Sequence, residues 1–303
     1  MRKKATNYVD YARALAHTYL MNKLTTAKRT AVVAALVEGN SVRSTARMTN
    51  VSKPTILKLL ADLGEACAAY HDQYVRNVNA RRVQCDEIWS YIGAKQKNVS
   101  EENNGQSWGD CWTWTAIDAE SKLIISYLVG DRSPRNCYEF MTDVCFRLAN
   151  RVQLTTDGLT LYLDAVEHAF GIDVDFGIIQ KHYGGGTPDA SAAMRYSPTK
   201  FTSATREVIT GSPVERHIST SIVERQNLSM RMGMRRFTRL TNGFSKKLEN
   251  HVAANALYFL HYNFARIHRT LRVTPAMAAG IANHIWSIEE IVGLLDTASA
   301  IAA

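Results

Sequence analysis

Apolar positions recur with a helical period in the first quarter of the chain and with strand-like patterns through its centre. Three short helices are expected between Thr26 and Gly64. In the first, Val32, Val33, Leu36 and Val37 fall at helical spacing, with Thr26 as N-cap and Gly39-Asn40 as the stop. Ser41 caps a second, SVRSTARM, which ends at Thr49-Asn50. Ser52 caps a third, SKPTILKLLADLG, whose Pro54 sits in the first turn, where a missing N–H costs little. That helix buries Ile56, Leu59 and Leu60 and leaves Lys53, Thr55 and Lys58 outward.

From Arg81 the pattern changes. RRVQCDEIWSYIG is a run of β-formers ending at Gly93, and CWTWTAIDAESKLIISYLVG reads as two strands joined by a turn at Asp118–Ser121. SPRNCYEFMTDVCFRLAN is a helix with a Ser-Pro start and an apolar side of Tyr138, Met141, Cys145 and Leu148. VQLTTDG is a short strand ending in an Asp-Gly turn, followed by a helix, LYLDAVEHAF. Three strands, a helix, a strand and a helix make an α/β layout with a mixed sheet. The Trp108, Trp112 and Trp114 rings are expected in its core. HYGGGTPDASAAMRYSPTK reads as a loop or small inserted element. The last segment, IWSIEEIVGLLDTASAIAA, places Ile288, Ile291, Val292 and Leu295 on one helix face, to pack on its own domain or to form an interface.

Composition changes this picture little: 46% of the 303 residues are hydrophobic and 21% charged, enough apolar material for a sizeable core. No run reaches the length of a membrane span, and Asp10, Arg13 and His17 interrupt the basic N-terminus, so a cytoplasmic protein with no membrane partner is expected. The five cysteines form no CxxC pair and read as reduced core residues.

Charge changes it more. Residues 1–82 carry a net +9, residues 83–194 a net −8, residues 195–272 a net +10 and residues 273–303 a net −3. Two basic blocks around an acidic one suggest polyanion contacts on both sides of a centre that concentrates carboxylates. Helix, tight turn, helix with a basic N-terminal end is a helix-turn-helix pattern, in which Lys53, Thr55 and Lys58 would face DNA.

Three carboxylates stand out. Asp86 interrupts an apolar strand, where a carboxylate is expensive unless something pairs with it. Asp157 ends the VQLTTD strand, at the edge where open α/β sheets place their chemistry. Glu224 lies in STSIVERQNLSMRMGMRRFTRL, a cationic stretch that would hold it ionised.

CDEIWSYIGAKQKN, TTDGLTLY and SIVERQNLSMRMGMRRFTRLTNGFSKKLENH together resemble the three blocks of the insertion-sequence-one family of DDE transposases, and the likeness extends over residues 26–285. The resemblance implies an RNase H-like mixed-sheet catalytic domain at 81–272, with an insertion near 182–217. An all-α helix-turn-helix domain (1–80) would precede it and a helical segment (273–303) follow. It implies that Asp86, Asp157 and Glu224 form the catalytic triad and hold two Mg²⁺ or Mn²⁺ ions. Arg225, Asn227, Arg231, Arg235 and Arg236, near Glu224, would grip the DNA backbone. Glu87 is expected to point away from Asp86, since adjacent strand residues face opposite sides of a sheet. The chain departs from founding members of the family in lacking a cysteine-rich finger and in its longer interval of 67 residues from Asp157 to Glu224. The expected activity is cleavage and strand transfer of double-stranded DNA by at least a homodimer. The alternatives are an inactive DNA-binding regulator or another RNase H-like nuclease.

Overall fold

The structure, a computed structural model, describes residues 24–103, 107–184, 201–238 and 242–301. The basic stretch 1–23 and most of the glycine- and proline-containing segment, 185–200, lie outside the described residues.

Three capped helices open the described chain: α1 (Thr26–Val37), α2 (Val42–Thr49) and α3 (Lys53–Tyr74). Their caps are Thr25, Ser41 and Ser52, whose hydroxyls accept from the backbone N–H of Lys28, Ser44 and Thr55. The first cap therefore lies one residue before the expected Thr26. Asn50, in the left-handed region at φ 52°, ends α2. The third helix continues ten residues past Gly64, because Leu63, Gly64, Cys67 and His71 prolong the buried stripe begun by Ile56, Leu59 and Leu60.

The centre is a six-stranded mixed sheet with helices on both faces, an α/β arrangement. Its strands are β1 (Arg82–Ile92), β2 (Gly109–Asp118), β3 (Ile124–Gly130), β4 (Gln153–Asp157), β5 (Asp175–Tyr183) and β6 (Phe201–Thr210). Their spatial order is β3-β2-β1-β4-β5-β6. The first three form an antiparallel meander, β4 and β5 run parallel to β1, and β6 returns antiparallel to β5. The edge strand β6 lies within the stretch expected as an insertion, 182–217. β6 is exposed at nearly every position on both faces, so it carries none of the alternation by which a half-buried strand is recognised.

Two helices, α4 (Pro134–Arg147) and α5 (Leu161–Phe170), cover one face, where Trp114 packs on Phe140 and Tyr162. The buried stripe of α4 is Cys137, Phe140, Met141 and Val144, turned by one position from the expected side. Arg147 is buried on that stripe, where it pairs with Asp143 one turn back on α4 and with Asp72 of α3.

The opposite face is covered by α6 (Ser221–Gly233) and α7 (Leu248–Leu260), with Ile88, Ile117 and Ile124 of the sheet meeting Val223, Met230 and Phe259. The α7 helix also packs along α3. The two backbones approach so closely at Gly64 that an added Cβ would lie 2.5 Å from Ala253 Cα. After the short α8 (Pro275–Ala278), the chain ends in α9 (Ile288–Ile301). Ile291 and Val292 of α9 are fully buried in the core shared by α1, α3, the sheet and α7, so this helix packs back on its own chain. No helix among the described residues is long and apolar enough to cross a membrane.

Candidate active site

Asp86 and Asp157 meet where two parallel strands part. β1 pairs with β4 only over Arg82–Gln84, the last match being Gln84 with Thr155. Two residues further along each strand stand Asp86 and Asp157, at the same level and beyond the last rung. Asp157 Oδ1 accepts from the Leu159 N–H at 3.0 Å, which fixes its carboxylate at the strand end.

The parting of the strands has a second consequence. Carboxylate oxygens of Asp86, Glu87 and Asp157 all lie within 4.8 Å of one another. The expectation that Glu87 points away is corrected here: past Gln84 the two strands no longer pair, and the longer Glu87 side chain brings its carboxylate to the same place as those of Asp86 and Asp157. Glu87 is also anchored, by Arg132 at 2.5 Å and by the Tyr162 hydroxyl at 3.1 Å.

Glu224 comes from the third side. Gln84 Oε1 accepts from the N–H groups of Ile222 and Val223, at 2.8 and 3.2 Å, and so docks the first turn of α6 onto β1. One turn later the Asn227 amide donates to Asp86 Oδ2 at 2.8 Å. Glu224, between these two contacts, accepts from the Thr220 hydroxyl at 2.6 Å and pairs with Lys181 of β5.

The electrostatics match this crowding. Burial, then the charges of Glu87 and Asp157, push the Asp86 carboxyl up to about 7, and Glu224 adds in the same direction against the Glu87 N–H that hydrogen-bonds it. Glu87 is likewise raised by burial and by Asp157, opposed by Arg132 and Tyr162. The charges of three carboxylates act on Asp86, and the cations nearby, Arg132 and Lys181, pair with Glu87 and Glu224 only. Asn227 Oδ1 is buried with no partner among the described residues, so an acceptor also stands unused beside Asp86. Hard oxygens in excess of local positive charge are what a divalent cation requires.

The remaining expected contacts divide. Arg225 and Arg235 are exposed and Arg231 is half-buried; Arg225 and Arg231 share α6 with Glu224, and Arg235 lies past the end of that helix. Asn227 is 5% exposed and holds Asp86, so it faces the protein and not a DNA backbone. Arg236 is half-buried and donates to Ser245 Oγ at 2.9 Å, and burial lowers its pKa to about 10. Ser245 in turn meets the buried His251, so Arg236 belongs to a side-chain network behind the site. Lys53, Thr55 and Lys58 are exposed at the start of α3, away from the carboxylates in sequence and element.

The sequence reading missed Gln84, Arg132, Tyr162 and Lys181. Lys181 was findable in principle: it follows the apolar run FGII, which marks β5 as the neighbour of β4. The chain matches no protein-family model, and no curated protein matches it significantly.

Proposed function

We propose that this protein is a DNA strand-cleaving and strand-joining enzyme of the DDE type, a transposase, built on an RNase H-like sheet. One observation carries the reading: Asp86 and Asp157 meet at the parting of two parallel strands, and the helix docked there by Gln84 and Asn227 carries Glu224, which stands outside their 4.8 Å cluster but near enough for its charge to act on Asp86. The strand order and directions, an antiparallel meander followed by two parallel strands, support the same reading.

Asp86, Asp157 and Glu224 would hold two divalent cations, Mg²⁺ or Mn²⁺. When bound, such ions supply the Lewis acidity that in-line displacement at a phosphodiester needs. The chain's own residues do the rest. Asn227 fixes the orientation of Asp86, the Leu159 N–H that of Asp157, and Thr220 that of Glu224. Lys181 offers its ammonium to Glu224 and would present positive charge to a phosphate entering the site. Arg225 and Arg231 extend that charge along α6, and Arg235 follows just beyond its end. No side chain is required as nucleophile: water attacks in cleavage and a DNA 3′-hydroxyl attacks in joining.

The capped helices α1–α3, with Lys53, Thr55 and Lys58 exposed at the start of α3, support a helix-turn-helix contact with duplex DNA. Joining two element ends would bring at least two copies of the chain together on DNA.

The test is cleavage and strand transfer in Mg²⁺ on DNA carrying the ends that flank the coding region. Asp86→Asn, Asp157→Asn and Glu224→Gln should each abolish both reactions while leaving folding and end binding intact. Full activity of Glu224→Gln would overturn the assignment. In the same preparation, Lys53→Ala and Lys58→Ala should lower the salt dependence of duplex binding, and an unchanged slope would remove α3 from the interface.

A further inference from the structure

The two faces of β1 and β2 are covered unequally. On the α6–α7 side, Ile88, Ser90 and Ile92 are buried to the end of the strand. On the α4–α5 side, cover stops at the rung of Glu87 and Trp114, where Trp114 is fully buried. The next rung pairs Trp89 with Trp112, and both indoles are half-exposed. The expectation that Trp112 and Trp108 are core residues therefore fails: Trp112 is only half-buried, and Trp108, just before β2, is 37% exposed.

Cations cap this open rung. The Lys95 ammonium lies 5.7 Å from the Trp89 ring centre, and the Arg132 guanidinium lies 4.8 Å from that of Trp112. Lys95 has no carboxylate partner among the described residues, and Arg132 reaches back to Glu87 of the site. Behind them Tyr91 stacks on Phe244 at 4.9 Å, which stiffens the floor. Asp110, the acid on the Tyr91 rung, accepts from the Gln96 N–H at 3.1 Å.

We propose that Trp89 and Trp112, with Lys95 and Arg132, form a stacking platform for unpaired nucleotides of the DNA strand that enters the carboxylate site. This rests on the nucleic-acid reading above and names which part of the substrate the site grips. Aromatic rings beside positive charge are the chemistry that holds bases and phosphates of a single strand together, without regard to sequence. The position fits as well. The platform begins two residues along β1 from Glu87, about 7 Å, and therefore reaches the bases next to the phosphate at the carboxylates. A duplex end would have to open there, and the platform would hold the opened bases.

The experiment uses the full chain without divalent metal and two fluorescein-labelled probes, a dT20 single strand and a 20-base-pair duplex. Trp89→Leu and Trp112→Leu keep apolar volume and remove the stacking face. Each should weaken dT20 binding by about 5-fold or more, the loss expected for one stacked base. Trp112→Phe should restore most of it, and duplex affinity should change less than about twofold, as backbone contacts are untouched. Unchanged dT20 binding, or an equal loss for both probes, would overturn the proposal. Binding of these probes is read without cleavage, so failure of the platform and failure of the carboxylate assignment are separate outcomes.

Discussion

Two clusters of charge lie at the sheet, and they are built on opposite principles. In the first, Arg147 is 6% exposed and donates to Asp143 at 2.6 Å, to Asp72 at 2.8 Å and to the Val75 carbonyl at 3.0 Å. Asp143 also accepts from the Ser126 hydroxyl at 2.5 Å. Burial alone would raise the Asp143 carboxyl, but hydrogen bonds from Arg147 and Ser126 hold it below the usual range. Every charge there has a partner. In the second cluster Asp86 is comparably enclosed, yet its nearest charged neighbours are carboxylates, and its pKa moves the other way, to about 7. The first cluster is a fastening between α3 and α4. The second is held in an unbalanced state by the fold around it, and such imbalance is what functional sites show.

Several substitutions break this comparison, and the largest effect belongs to the second cluster. Asn227→Ala removes the amide that orients Asp86 and should lower cleavage about 10–100-fold with little change in folding, the range for groups supporting a metal ligand. Steady-state cleavage with a thermal melt checks both halves. Wild-type activity in Asn227→Ala would return that side chain to the DNA-contacting role first expected of it.

The first cluster should respond in stability instead. Arg147→Ala leaves Asp143 short of its main partner and frees two carbonyls. It should cost about 2–4 kcal/mol in urea unfolding, less than a fully enclosed pair because Asp72 is largely exposed. A loss below about 0.5 kcal/mol would class the cluster with ordinary surface ion pairs.

The smallest effect is one of sign with pH. Because the folded Asp86 is raised above its unfolded value of about 3.9, it favours folding at low pH, and that contribution disappears as pH rises towards 7. Asp143 is depressed, so its contribution is present above about pH 3.9 and disappears as pH falls through its lowered value. In EDTA, the stability gained by Asp86→Asn over wild type should therefore grow from pH 5 to pH 8. The stability lost by Asp143→Asn should shrink from pH 7 towards pH 3. Thermal melts of both variants across pH decide this, and parallel trends would contradict the contrast.

The sequence displayed some of this and concealed the rest, for physical reasons. Caps and helix periods placed α1, α2 and the start of α3 because Ser and Thr act locally. Asp86 was conspicuous since a carboxylate in an apolar strand needs an explanation, and Asp157 since it ended one. The parting of β1 from β4 is a property of pairing between distant segments, so Glu87 was assigned by strand alternation alone. Asn227 could have been read differently: with Val223 and Met230 it falls on the apolar side of α6, at i, i+4 and i+7, which directs it inward. β6 had no alternation to show, and the α4 stripe runs through Arg147, whose partner Asp72 lies 75 residues away on α3.

The central claim is that the charge imbalance around Asp86 is a seat for divalent cations. Its most direct test is thermal stability without DNA at pH 8 as Mn²⁺ is added to wild type and to Asp86→Asn. A ligand that binds only the folded state raises its stability in proportion to the logarithm of concentration over Kd. The account predicts that the wild-type melting temperature climbs with each addition while that of Asp86→Asn stays near its metal-free value. An equal response in the two proteins, or none in wild type, would contradict it.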